Sequence, residues 1–148
     1  MKRSEQAVDL LIRGFNCSQS VFSVFASEMG FDRDAALRIG CGFGGGMGRM
    51  QDTCGAVTGA YMVIGLKHGK DKEGDDQKKE KTYALVNEFA AEFRKKFGTT
   101  VCRELLRCEL SGDEWKTLYL SRNLHRDVCA KCVKEAVEIL EEILNSSR

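Results

Sequence analysis

The sequence predicts an all-α protein, a single-domain bundle of about six to eight helices with a glycine-rich loop. Three observations carry that expectation. Proline is absent from the 148 residues, apolar side chains recur every three or four positions rather than alternating, and capping residues stand before several of the periodic runs. A chain of this length buries a core without covalent staples, so residues 1–148 are read as one helical domain whose cysteines need not be structural.

In order along the chain, Val8, Leu11, Ile12 and Phe15 form a first stripe that Gly14 closes. Asn16-x-x-Gln19 has the form of a capping box and opens a second helix, with Cys17, Val21 and Phe25 on one face and a stop near Gly30. A short helix is expected from Asp32 to Ile39. Gly40 to Gly48 holds six glycines in nine positions, a density that neither helix nor strand tolerates, and is read as a loop. Asp52 and Thr53 then start a helix carrying Cys54, Val57, Tyr61 and Ile64, which ends at His68-Gly69. Lys70 to Lys81, almost wholly charged or glycine, is read as a solvated loop leading into the next helix. Leu85, Val86, Phe89, Ala90, Phe93 and Phe97 mark that helix as long and amphipathic, stopped by Gly98. Thr99 and Thr100 start a short helix through Leu106, and Ser111-x-x-Glu114 is a capping box for another that bears Trp115 and Leu118. The last helix runs from Asp127, with Cys129, Cys132, Val133, Ala136, Leu140, Ile143 and Leu144 on one stripe.

Lys and Arg total 23 against 22 for Asp and Glu, so no global field draws the protein to nucleic acid or to an anionic membrane surface. The longest apolar run, Ala56 to Leu66, is roughly half the length of a membrane span. The charged first residues lack the uninterrupted apolar stretch of a signal peptide, and a cytoplasmic location is expected. In a reducing compartment seven cysteines, an odd number, are expected to be reduced, cycling or metal-bound rather than locked in permanent disulfides.

Four of them are expected in the first turn of a helix. Cys17 follows Asn16, Cys54 follows Asp52 and Thr53, Cys102 follows Thr99 and Thr100, and Cys129 lies two residues past Asp127. A helix N-terminus offers unpaired N–H groups and the positive end of the macrodipole, which favour the thiolate, the form that attacks disulfides and binds metals. The reading that follows is a thiol-disulfide oxidoreductase or redox carrier, with Cys54 attacking and Cys17, Cys102 or Cys129 resolving the mixed disulfide. An alternative uses the same four residues, Cys17, Cys54, Cys102 and Cys129, to hold zinc or an iron–sulfur cluster, although their spacing is far longer than that of paired C-x2-C knuckles. The bland reading is a helical adaptor whose cysteines are core residues. Cys108 and Cys132 rank as accessories, while Cys129-x-x-Cys132 places two sulfurs on one helix face.

Gly55 and Gly59, four apart behind Cys54, permit close approach of another backbone or of a ligand. Gly44, Gly45 and Gly46 are candidates to cradle an anion or cofactor with backbone N–H groups. The loop lacks the Lys-Ser/Thr of a nucleotide-binding P-loop, and tight packing or a mobile flap over Cys54 or Cys41 is the stronger expectation. His68 and His125 stand near helix ends, where histidine caps carbonyls. The redox partner is not identified by any residue pattern, and the apolar stripes of the terminal helices suggest a helix-packed homodimer.

With the cysteine order set out, the chain resembles the small redox-active family named for its cysteine string, C_GCAxxG_C_C. The likeness rests on Cys17 in Asn16-Cys17-Ser18-Gln19, on Gly44-Gly45-Gly46-Met47-Gly48-Arg49, on Cys54-Gly55-Ala56-Val57-Thr58-Gly59, and on Cys102 and Cys129; Cys41 between Gly40 and Gly42 also fits. It covers nearly the whole chain. What the resemblance implies is cysteine-based redox activity, with no substrate attached to it.

Overall fold

A computed structural model describes residues 1–109, 112 and 115–147. Among these are eight α-helices and no strand: α1 (Arg3–Ile12), α2 (Cys17–Ala26), α3 (Arg33–Cys41), α4 (Gly55–His68), α5 (Asp76–Phe97), α6 (Cys102–Leu106), α7 (Trp115–Ser121) and α8 (Ala130–Ser146), the last entered through a π-helical turn, His125–Cys129. The capping box expected at Ser111 and Glu114 lies outside the described residues, as do the side chains of Trp115, Leu118 and His125.

Helices α2, α4 and α8 pack on one another at the centre; α1 and α3 flank α2, and α5 lies against α4 and α8. The centre is apolar because α2 and α4 are buried on most sides and α8 turns one apolar stripe inward. In α4 the residues from Gly55 to Ala60 are all buried, and Phe89 and Phe93 of α5 close the core at 0% exposure. Burying each of those rings stabilises the fold by about 1.5–3 kcal/mol. Among the described residues no helix is long and apolar enough to cross a membrane.

The start of α2 is fixed twice. Asn16 Oδ1 accepts from the Gln19 N–H and Gln19 Oε1 accepts from the Asn16 N–H, each at 2.9 Å, which completes the expected capping box. The spare amide donors of the same two residues bond the carbonyls of Cys41 and Leu37, so the cap also ties down the end of α3. Glycine then brings α2 onto α4. A Cβ on Gly59 would lie 2.9 Å from the Ser18 carbonyl oxygen, and one on Gly55 would lie 3.2 Å from Cys17 Cβ. The approach expected at these two glycines is made by a neighbouring backbone.

The charged segment up to Lys81, expected as a loop, is helical from Asp76, because Asp75 accepts from the Lys78 N–H and a run of Lys, Glu and Gln is compatible with an exposed helical turn. The glycine loop is hydrogen-bonded within itself: the N–H groups of Gly48, Arg49, Gln51 and Asp52 bond the carbonyls of Gly42, Gly44, Gly45 and Gly46. The apolar faces of α1 and α8 are buried against each other and the core, which removes the ground on which a homodimer was expected.

Candidate functional site

Residues 45–49 all adopt positive φ, between 58° and 68°, so the glycine loop makes a left-handed turn that includes Met47 and Arg49. Backbone conformation of this kind costs a non-glycine residue about 1–2 kcal/mol, and it persists here because both flanks are tied. The loop ends at Cys54, whose N–H donates to the Thr100 carbonyl at 2.8 Å. Cys102 N–H donates to the Asp52 carbonyl and Arg103 N–H to that of Gln51, while Thr53 and Val101 form an isolated β-bridge. The segment before α4 and the segment before α6 are thereby laid side by side.

This stitching brings six of the seven cysteines, Cys17, Cys41, Cys54, Cys102, Cys129 and Cys132, to the wall of one cavity of about 720 Å³. Gly44, Gly45 and Gly46 line it too. A Cβ on Gly44 would strike the Asn16 amide, and one on Gly46 would stand 2.7 Å from Cys102 Cβ, so these glycines make room for side chains of the protein itself. Cys108 is outside the cavity, half-buried in a small cluster with Leu106 and Leu124.

Within the cavity the thiols form two pairs. Cys17, the first residue of α2, donates to Cys129; that hydrogen bond, burial and the neighbouring sulfurs push its thiol well above the usual cysteine range. Cys129 is held below that range, first by the Cys17 thiol and then by the Tyr119 hydroxyl, which donates to its Sγ at 3.3 Å; burial works the other way. The second pair is deeper. Cys132, 1% exposed, donates to Cys54, which lifts Cys132 and lowers Cys54; burial opposes the latter effect. The N–H groups of Ala56 and Val57 at the start of α4 also favour the Cys54 thiolate, although neither completes a cap hydrogen bond to the sulfur. In each pair one sulfur is shifted toward the thiolate and its partner is held toward the thiol.

Helix position decides less than expected. Cys17 opens a helix and still has its thiol raised, first by its hydrogen bond to Cys129 and then by burial. Cys54 is the N-cap of α4 rather than a first-turn residue. Cys102 does open α6, but the first N–H groups of that helix already serve the carbonyls of Asp52 and Gln51, and burial pushes the thiol up to about 12. Cys129 is not at a helix start at all. Its backbone is helical (φ −61°, ψ −42°) at the end of the π-turn, and Asp127 pairs with Asn123 instead of capping. Cys132, expected to be an accessory, is the hydrogen-bond partner of Cys54; the Cys129-x-x-Cys132 spacing was its one sequence signal. Tyr119 had none.

All four residues of the metal alternative line the cavity. Among the described residues, however, no group of three or more His, Cys, Asp or Glu side chains is arranged to hold a metal ion. His68 sits at the far end of α4 from Cys54, bonded to the Ser147 hydroxyl, and has no part in the thiol cluster.

A family model for the putative redox-active proteins C_GCAxxG_C_C matches residues 15–143. The chain belongs to that family. Where the C_GCAxxG_C_C name places glycine before cysteine, this chain has Cys54-Gly55-Ala56-Val57-Thr58-Gly59, in the opposite order. The matched span holds every cysteine of the cavity and omits the whole of α1. No curated protein and no solved structure matches the chain.

Proposed function

We propose that the protein is a dithiol redox carrier that cycles disulfides within its cavity, with Cys17 and Cys129 as the pair that meets the substrate. The observation that carries this reading is the gathering of Cys17, Cys54, Cys129 and Cys132 on one cavity wall, with Cys129 lowered beside a raised Cys17 and Cys54 lowered beside a raised Cys132. Cys54 remains a nucleophile in this scheme, but it is 6% exposed and faces a buried partner, whereas Cys17 and Cys129 are half-buried.

The chemistry balances as follows. Sγ of Cys129 attacks one sulfur of a disulfide RSSR, its S–S bond breaks, and RS⁻ leaves to be protonated by solvent. Cys129 is then neutral, in a mixed disulfide. The charge that kept Cys17 protonated is gone, so Cys17 gives its proton to solvent and attacks Cys129 Sγ. The second RS⁻ leaves, the Cys17–Cys129 bond is made, and two electrons have moved from the protein dithiol to RSSR. The inner pair, Cys54 and Cys132, is reached by exchange through Cys132, one helical turn from Cys129.

The test is intact mass and thiol counting on anaerobically purified protein before and after an oxidising disulfide, with the bonds located by peptide mapping. Loss of one or two hydrogen pairs, joining Cys17 to Cys129 and Cys54 to Cys132, is expected. Stoichiometric zinc or iron with unreactive thiols would overturn the reading in favour of the metal site.

A further inference from the structure

We infer that Cys41 is the thiol through which the oxidised cavity is reduced again: its sulfur attacks Cys17 in the Cys17–Cys129 disulfide and hands the bond to a dithiol on the surface of another protein. The inference rests on the redox reading above and supplies the electron donor that a carrier needs, since each disulfide it reduces leaves it oxidised.

Three observations support it. Of the seven cysteines Cys41 alone is exposed, and it lines the same cavity as Cys17 and Cys129. A dithiol fixed on a folded protein meets an exposed sulfur more readily than a half-buried pair, because exchange depends on access.

The second observation is placement. Cys41 is the last residue of α3 and Cys17 the first of α2. The side-chain amide of Asn16, next to Cys17 in the chain, donates to the Cys41 carbonyl at 2.9 Å, and a Cβ on Gly40 would lie 3.1 Å from Gln19 Cα. The end of α3 is thus held against the start of α2. Only the backbone is pinned, because an exposed side chain changes rotamer freely, and this lets Sγ of Cys41 turn toward the cavity or toward solvent.

The third is the leaving group. Attack on Cys17 expels Cys129, and the Tyr119 hydroxyl that donates to Cys129 Sγ stabilises the departing thiolate. A better-stabilised thiolate leaves faster.

The electrons balance. Cys41 gives its proton to solvent and attacks Cys17 Sγ; the Cys17–Cys129 bond breaks and Cys129 leaves as thiolate. A thiolate of the donor attacks Cys41 Sγ, the Cys41–Cys17 bond breaks, and Cys17 leaves and is protonated by solvent. The donor's second thiolate then attacks its own bridged sulfur and releases Cys41, which regains a proton. Two electrons pass from the donor dithiol to Cys17 and Cys129, and the donor becomes a disulfide.

The experiment uses full-length protein oxidised at Cys17–Cys129 and one reductant in two forms, free dihydrolipoamide and dihydrolipoamide held on agarose by a short linker, which stands in for a protein-borne dithiol. Thiol counting follows the reduction. The free dithiol should reduce both the parent and Cys41→Ser, whereas the tethered one should reduce the parent and lose that ability with Cys41→Ser. In oxidised Cys129→Ser, peptide mapping should find Cys17 bonded to Cys41. A tethered dithiol that reduces both proteins alike, or neither, would overturn the role of Cys41, as would a Cys129→Ser protein in which Cys17 is free or bonded elsewhere. Each of those results leaves the redox carrier standing so long as the parent forms its Cys17–Cys129 bond; a parent that forms no disulfide would overturn both.

Discussion

Tyr119→Phe removes one hydroxyl and keeps the ring, which isolates what the hydroxyl does for Cys129. The oxygen lies 3.3 Å from Sγ and donates to it, so it lowers the energy of the thiolate and not of the thiol. A hydrogen bond to a charged group contributes about 1.5–3 kcal/mol, and the value belongs at the low end here because Tyr119 is half-buried and sulfur is a diffuse acceptor. At about 1.4 kcal/mol per pKa unit, Cys129 should rise by roughly one unit. Well below its midpoint the thiolate fraction then falls about tenfold, and alkylation slows in proportion. The assay is peptide-resolved iodoacetamide labelling of reduced protein across neutral and alkaline pH, which follows Cys129 separately from the other thiols. The midpoint of Cys129 should move up and that of Cys54 should not. An unchanged Cys129 midpoint in the variant would refute the assignment of Tyr119 as the positioning residue of this thiolate.

Cys132→Ala should raise the Cys54 midpoint by about one unit in the same labelling experiment, since the Cys132 thiol is the foremost cause of its lowering; a Cys54 that titrates as in the parent would dissolve the inner pair. Gly46→Ala combines a left-handed φ of 64° with a Cβ 2.7 Å from that of Cys102, a loss of about 2–5 kcal/mol, whereas Gly48→Ala at φ 58° meets nothing within 4 Å and should lose only about 1–2. Urea unfolding of the two variants would show equal losses if the contact with Cys102 is unimportant. The reduced protein should also lose stability in alkali. Cys102 titrates near 9.0 when unfolded and at about 12 when folded, so between those values the folded state holds the extra proton and stability falls with rising pH, by about 1.4 kcal/mol per pH unit. Cys54 and Cys129, whose folded values are lowered, act in the opposite direction below pH 9.0. Denaturant midpoints under reductant should therefore decline above about pH 9, and a flat profile there would contradict the burial of Cys102.

What sequence revealed was what short-range chemistry determines. The Asn16 and Gln19 cap, the stop at Gly98 (φ 81°) and the apolar stripe of α8 all depend on residues within a turn or two of one another, and each stands where periodicity and capping put it. Which cysteines share the cavity was not legible, because Cys17, Cys41, Cys54, Cys102, Cys129 and Cys132 come from segments that only the tertiary packing brings together. Nor was their pairing. Cys54 meets Cys132 only because Gly55 and Gly59 seat α2 on α4 while α8 crosses both, and no local pattern carries that information. The π-turn displaced Cys129 from its expected place at a helix start, and the neutralised N-terminus of α6 depended on carbonyls some fifty residues away in the chain, at Gln51 and Asp52.

Helix α8 carries one sulfur of each pair, Cys129 and Cys132, and this arrangement bears on how the protein would release its electrons. Wherever Cys129 and Cys54 are both ionised, the charge on Cys129 acts unfavourably on Cys54, so two like charges share one small volume. Oxidising either pair discharges one of them and relieves the other. The first two electrons should therefore leave more readily than the last two, giving a redox titration broader than that of a single couple, with two potentials drawn apart. Acidification should merge them, because protonated sulfurs no longer feel one another.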